Sequence, residues 1–285
     1  MQVEAENAVS VAGTGTLVGG KTRTGTKPVA LLLQGSRFEF KYVISEPCAQ
    51  AVREYAVGFL VPDEHADPER HYMYPVHSLY LDSPAMDLCQ ATIHGLKNRF
   101  KLRIRFYDDL AESPVFFEIK RRVNDAILKE RAAVRRRSLP AILMGQWPMP
   151  ADLVDPSDKS LGALHRFCGL RSSIQAVPKT FVSYMREAYV SPNSNSVRLT
   201  FDRQLMGAPY RNGFQVPRAK ERCYPKIPGV VLELKFTERF PAWMGEMVRR
   251  FNLQRCSMAK YVACACSLGE VQGTWTRERG KSKAW

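Results

Sequence analysis

Stretch after stretch of this chain alternates charged and apolar side chains with a period of two. That alternation limits the fold more than any other feature. RFEFKYV puts Arg37, Glu39 and Lys41 on one face and Phe38, Phe40 and Tyr42 on the other. FKLRIRFY sets Lys101, Arg103 and Arg105 opposite Leu102, Ile104 and Phe106. FFEIKRR aligns Glu118 with Lys120, ILKERAAV adds Lys129 and Arg131, and VSYMREAYV carries Arg186. SVRLTFD aligns Arg198, Thr200 and Asp202, VVLELKF aligns Glu233 with Lys235, and HSLYLD ends on Asp82. A period of two is the signature of a β-strand with one apolar face.

Antiparallel strands ordinarily turn such charged faces to water, and for any single strand that explanation suffices. Water, however, tolerates Ser, Thr, Gln and Asn as readily as charge. Here Arg or Lys recurs at alternate positions, interrupted by single Glu residues, as R-x-E-x-K and twice E-x-K. If the strands close into a barrel with helices outside, the apolar faces meet the helices and the charged faces line a lumen. So many like charges would desolvate one another in an empty lumen, so the pattern implies a bound polyanion. The lone carboxylates imply a divalent cation shared with it, because carboxylate and phosphate oxygens suit Mg2+ or Mn2+.

Helices are expected where apolar residues recur at three and four. SEPCAQAVREYAVGFLV has Ser45 as cap, Pro47 in the first turn and a face of Val52, Tyr55, Ala56, Phe59 and Leu60. Residues 160–170, 241–253 and 256–269 repeat the pattern. Residues 1–35 and 269–285 read as tails, the first disordered and the second basic, leaving 36–268 as one domain. The formal net charge of +14 favours a polyanionic partner. The seven cysteines show no C-x-x-C pair, and with no signal-like N-terminus they read as reduced thiols in a cytoplasm. No apolar run approaches a membrane span, though a peripheral membrane partner would suit the basic tails. The five histidines show no ligand spacing.

One motif misleads. GTLVGGKT at 15–22 spells a nucleotide phosphate loop, but that loop needs a strand before it and a helix after it. Gly25 and Pro28 stand where the helix would run. The stretch reads as a flexible linker.

The blocks RFEFKY, VHSLYLDSPAMDLC, KLRIRFY, FFEIK, LKER, SYMREAY, VRLTFD, VLELKF and AKYV follow one another between Arg37 and Tyr261. In that order they resemble the VTC domain, the polyphosphate polymerase branch of the triphosphate tunnel metalloenzymes (the CYTH-like superfamily). The resemblance implies an α+β fold, a closed antiparallel eight-stranded β tunnel barrel with helices packed outside. It implies transfer of the γ-phosphoryl group of ATP to a growing inorganic polyphosphate chain, with Mn2+ or Mg2+ as cofactor and pyrophosphate or polyphosphate as the other partner. Position by position, Arg37, Lys41, Arg103, Arg105, Lys120, Arg186 and Arg198 would grip the triphosphate and product. Lys129 and Arg131 match a further basic pair, Glu233 the metal-holding carboxylate, and Lys260 the lysine of a closing Ser-Lys-Tyr. Ala259 replaces the serine of that motif. The hydrolase branch opens with E-x-E-x-K, whereas this chain has Arg37 first, which removes a metal ligand and favours phosphoryl transfer.

Lys101 and Lys235 share their strands' charged faces and join the candidate substrate-binding set. Glu39 and Glu118 could hold the metal through water or simply pair with neighbouring cations, with the second preferred. Asp82 and Asp202, at the ends of their alternating stretches, could be turn caps. Two other functions fit the same residues: a triphosphatase of this fold, and a non-catalytic polyphosphate or polyanion-binding module. Sequence-specific nucleic-acid binding fits poorly, since Phe38, Phe40 and Phe106 lie opposite the basic faces rather than among them.

Overall fold

The alternating stretches become long antiparallel strands. In this computed structural model, which describes residues 37–124, 126–192, 194–211 and 215–272, the chain runs β1 (Arg37–Ile44), α1 (Glu46–Ala56), β2 (Val61–Pro62), β3 (Met73–Asp82) and α2 (Asp87–Ile93). It continues through β4 (Asn98–Phe106), β5 (Val115–Val123), β6 (Ala126–Val134), α3 (Leu139–Leu143) and α4 (Asp158–Ser173). The last elements are β7 (Val177–Ser191), β8 (Ser194–Pro209), β9 (Val230–Thr237), α5 (Ala242–Arg250) and α6 (Lys260–Ser267). The GTLVGGKT stretch and most of both expected tails lie outside the described residues. The expected cap of α1 is present: Ser45 Oγ accepts from Cys48 N at 3.4 Å. Asp202 does not end its strand, because β8 continues to Pro209.

Hydrogen bonding orders the strands β1-β9-β8-β7-β3-β4-β5-β6, with the two-residue β2 attached to β7. This differs from the expected closed eight-stranded barrel. Among the described residues nine strands are present and no ladder joins β1 to β6. The sheet nevertheless curls until β1 comes back to β5 through side chains: Lys120 Nζ on β5 lies 2.9 Å from Glu39 Oε2 on β1.

Two apolar clusters cover the outer face. Leu102, Ile104, Phe106, Phe117 and Ile119 pack with Leu164 and Phe167 of α4 and Ile142 of α3. Tyr42, Leu199, Phe201, Leu232 and Leu234 pack with Val52 of α1 and Met244 and Met247 of α5. Phe38, Phe40 and Phe106 belong to these clusters, as the alternation requires.

The third cluster changes the picture of helices outside a tunnel. It joins Val76, Tyr80, Val182, Tyr184 and Val231 to Tyr261, Val262 and Ala265 of α6 and to Cys89 of α2. Tyr80 and Tyr184 alternate with the outer-cluster residues Leu81 and Phe181, so α6 docks on the inner face of the curled sheet. Apolar residues at these inner positions make that docking favourable. Gly207 marks how close the approach is: a Cβ built there would lie 2.7 Å from Cys264 Cβ, closer than atoms can come. Among the described residues no helix is long and apolar enough to cross a membrane.

Candidate phosphate-binding tunnel

Register on the sheet assembles the site. Lys41 faces Glu233 and Glu39 faces Lys235 across β1–β9, while Arg103 faces Glu118 and Lys101 faces Lys120 across β4–β5. Lys260 arrives from the start of α6. Together they bound an open cavity whose walls carry Lys41, Lys101, Arg103, Arg105, Lys120, Arg186, Lys235 and Lys260. Only Glu39 and Glu233 supply acidic groups to those walls, beside Tyr80, Tyr184, Ala259 and Tyr261. Ala259, in place of a serine, lines the cavity without a hydroxyl.

Most cations are held by carboxylates. Glu233 Oε1 lies 2.8 Å from Lys260 Nζ and 3.3 Å from Lys41 Nζ; its Oε2 lies 2.8 Å from Lys235 Nζ and 3.5 Å from Arg186 Nη2. Asp202 takes Arg186 in a fork, with Nε at 2.7 Å and Nη2 at 2.8 Å, and Lys260 at 2.6 Å. Burial disfavours the Glu233 charge, but Lys235, Lys260, Lys41 and Arg186 more than offset it and hold its pKa well below the usual range. Glu39, between Lys41 at 3.1 Å and Lys120 at 2.9 Å, is lowered in the same way against its own burial.

Glu118 sits apart from the cavity walls. It is fully buried beneath Arg103, whose Nη2 is 2.6 Å away, with Lys129 at 2.8 Å and Arg131 at 3.4 Å on its other oxygen. Lys129 and Arg131 thus reach Glu118 from β6, on the flank of the cavity. Arg198 is farther along β8, bonded to Asp63 at 2.5 Å and to Tyr74 Oη at 3.1 Å. Arg37 stands at the start of β1, in register with Thr237.

Two lining cations have no carboxylate partner among the described residues. Arg105 donates only to hydroxyls, Ser78 Oγ and Tyr184 Oη, both at 3.3 Å. Lys101 faces Lys120 and makes no ion pair. Burial, then Lys41, Lys120 and Arg99, push its pKa down to about 7. A strongly basic guanidinium and an easily discharged ammonium therefore wait on β4 for an anion.

The sequence reading undervalued the aromatic and acidic props of this site. Asp82 is a cap: it accepts from Ser83, Leu88 and Cys89 amides at 2.8–2.9 Å. It also accepts from Tyr261 Oη at 2.7 Å, and the Tyr261 ring stacks on Tyr80 at 4.5 Å. Tyr80 Oη in turn accepts from Arg103 Nη1 at 3.3 Å. Burial opposes ionisation of Tyr80, but Arg103 and Arg105 outweigh it and lower its pKa. Alternation in HSLYLD places Ser78, Tyr80 and Asp82 on one face, and that parity is the signal for Tyr80.

A divalent cation fits this donor set only together with phosphate. No group of three or more His, Cys, Asp or Glu side chains is placed to hold a metal among the described residues. Both Glu233 oxygens face cations, so an ion would enter by displacing an ammonium and would take its other ligands from phosphate and water. Thr200, in register with Glu233, has a buried Oγ1 without a hydrogen-bond partner, a further oxygen beside that carboxylate. Glu233 and Glu39, both on the cavity wall, are the residues that would hold the ion.

Residues 36–269 match the family described as the VTC domain. The chain belongs to the VTC domain family. No curated protein matches this VTC chain. Among solved structures it is similar to a "putative adenylate cyclase" from Bacillus halodurans, with 14% identity over 79% of this chain and 94% of that one, at a TM-score of 0.43. A "putative adenylate cyclase" from Vibrio parahaemolyticus shows 11% identity over 80% and 97%, at 0.41. A conserved hypothetical protein from Pyrococcus furiosus shows 11% over 77% and 92%, at 0.37.

Proposed function

We propose that this VTC-domain chain is an inorganic polyphosphate polymerase, which passes the γ-phosphoryl group of ATP to a polyphosphate or pyrophosphate acceptor. The observation that carries the reading is the imbalance in the cavity: eight basic side chains against two acidic ones on the walls, with Arg105 and Lys101 unpaired by any carboxylate among the described residues. A row of phosphates satisfies these groups as no neutral ligand can.

Phosphoryl transfer needs alignment and charge neutralisation more than covalent help. A terminal oxygen of the acceptor attacks the γ-phosphorus, the bond to the β–γ bridging oxygen breaks, and that oxygen leaves on ADP with the electron pair. The acceptor oxygen is already anionic, so no histidine base is required. Arg103 and Arg105 supply planar donors to the donor phosphates. Lys41, Arg186 and Lys260 surround Glu233 and neutralise charge where the chain meets the donor, while Lys101, Lys120 and Lys235 hold the neighbouring phosphates. Lys129, Arg131 and Arg198 extend this basic surface beyond the cavity. A divalent cation at Glu233 and Glu39 would add positive charge against the phosphoryl oxygens. Arg37 in the R-x-E-x-K segment supports transfer over two-metal hydrolysis.

The test is incubation of the pure protein with ATP and Mn2+, with ADP measured and the product sized on a gel. Polymer growing in step with ADP is expected. Orthophosphate without polymer would make the chain a triphosphatase, and binding without turnover would make it a polyanion-binding module.

A further inference from the structure

The two ends of the tunnel differ in chemistry. On one side of the Arg103 level, the inward positions of β4, β5 and β6 are basic: Arg99, Lys101, Lys120 and Lys129. On the other side the same faces turn aromatic. Phe116 is the register partner of Arg105. Tyr107 follows Arg105 by two residues and packs on the inner-face cluster beside Tyr74, itself in register with Arg186.

These rings form a continuous rim. Tyr107 lies 5.9 Å from Phe116 and 6.4 Å from Tyr74, centroid to centroid, and His65 lies 6.1 Å from Tyr107. The Arg131 guanidinium sits 3.6 Å over the Phe116 ring. Tyr107 and Phe116 are half-buried and His65 is exposed, so ring surface remains open beside Arg105, which has no carboxylate partner among the described residues. A phosphate chain has no use for such a surface. A flat heterocycle attached to a triphosphate has, because base–aromatic stacking and guanidinium stacking both favour it.

We propose that the Tyr107–Phe116 rim stacks the base of the donor nucleotide, so that a nucleotide lies in the tunnel with its base beyond Arg105 and its phosphates towards Lys101. The inference rests on the tunnel being a triphosphate site and adds a direction to it. Stacking is blind to base identity, so the rim distinguishes a nucleotide from a bare triphosphate and not ATP from GTP.

The experiment measures Kd for ATP, GTP and inorganic tripolyphosphate on the wild type, Tyr107→Leu and Phe116→Leu. Each variant is expected to lose about tenfold in affinity for both nucleotides, the low end for one stacked base, and to keep its tripolyphosphate affinity within about twofold. Retained tripolyphosphate binding also reports that the variant is folded. Unchanged nucleotide affinity in both variants overturns the proposal. So does an equal loss for all three ligands, which would make the rings structural. A wild type that binds none of the three overturns the tunnel reading itself, and this inference with it.

Discussion

Lys101→Met should stabilise the protein in the absence of phosphate, and the gain should depend on pH. Lys101 is half-buried among Lys41, Lys120 and Arg99 without a carboxylate, and its pKa is lowered to about 7 from an ordinary 10.5. At ~1.4 kcal/mol per pH unit that difference sets a ceiling of about 5 kcal/mol on the cost of keeping the ammonium charged in the fold. Partial exposure and side-chain relaxation reduce it, so about 1–2 kcal/mol is expected, or roughly 3–6 °C in Tm for a chain of this size. In the unfolded chain the lysine stays protonated to about 10.5, whereas in the folded chain it discharges above about 7. Below 7 the folded state therefore carries the whole cost. Between 7 and 10.5 the unfolded state binds more protons, so wild-type stability rises with pH relative to the variant. Thermal melts of both proteins in phosphate-free buffer from pH 6 to 9.5 read this directly. The difference should be largest at pH 6 and shrink steadily above neutrality. A Tm gain that is constant with pH, or a loss at every pH, would refute the argument that Lys101 is an uncompensated charge.

Arg105→Ala, which loses only two hydroxyl contacts, should leave Tm nearly unchanged while triphosphate affinity falls about ten- to hundredfold, as expected for a charged contact. Arg103→Ala should lower both, because it strips the fully buried Glu118 of its closest partner; equal melting curves for the two variants would contradict the difference in pairing. Glu233→Gln should lower Tm without ligand, since Lys41, Lys235, Lys260 and Arg186 lose their shared anion, and tripolyphosphate should restore it. In the same variant, triphosphate binding should survive while metal-dependent turnover drops by orders of magnitude across a Mn2+ titration; near-normal turnover at limiting Mn2+ would remove Glu233 as a metal ligand. Gly207→Val should undock α6, seen as a lower Tm and lost triphosphate affinity through displacement of Lys260, whereas a wild-type melt would show that the α6 contact is slack.

The strands were legible because both of their faces obey one rule. Charge at Arg103 and Arg105 and bulk at Leu102 and Ile104 give a period of two that nothing else explains. The same rule broke down on β3 and β7, where the inner face is apolar as well as polar. Val76 and Val182 look inward, towards α6, so these strands are buried on both sides and their alternation fades. A sequence pattern reports how polar a face is and not which partner covers it; hence α6 was legible as a helix and misplaced as an outer one. Edge closure was equally out of reach. Whether β1 and β6 share a ladder depends on accumulated twist over eight strands, and no single residue encodes that.

The carboxylates of this tunnel are best understood through what the cations need when no phosphate is bound. Eight ammonium and guanidinium groups within one cavity repel one another, and four carboxylates, Glu39, Glu118, Asp202 and Glu233, touch them directly. The walls therefore keep an excess of positive charge, which attracts a triphosphate. The carboxylates are not equivalent in this role. Asp202 and Glu118 are held in forks by Arg186 and Arg103, geometry that keeps those guanidiniums aimed and that a phosphate need not break. The closest partners of Glu233 and Glu39 are flexible lysines, whose ammoniums can turn to a phosphate oxygen without leaving the cavity. An entering triphosphate therefore takes lysines from Glu233 and Glu39, and frees those two carboxylates where a divalent cation would be most useful. On this argument metal affinity should be low in the free protein and rise when tripolyphosphate is present, and by linkage the metal should tighten tripolyphosphate by the same factor. Titrating Mn2+ with and without tripolyphosphate measures both factors. Tight Mn2+ binding to the free protein would show that the lysines do not guard these carboxylates.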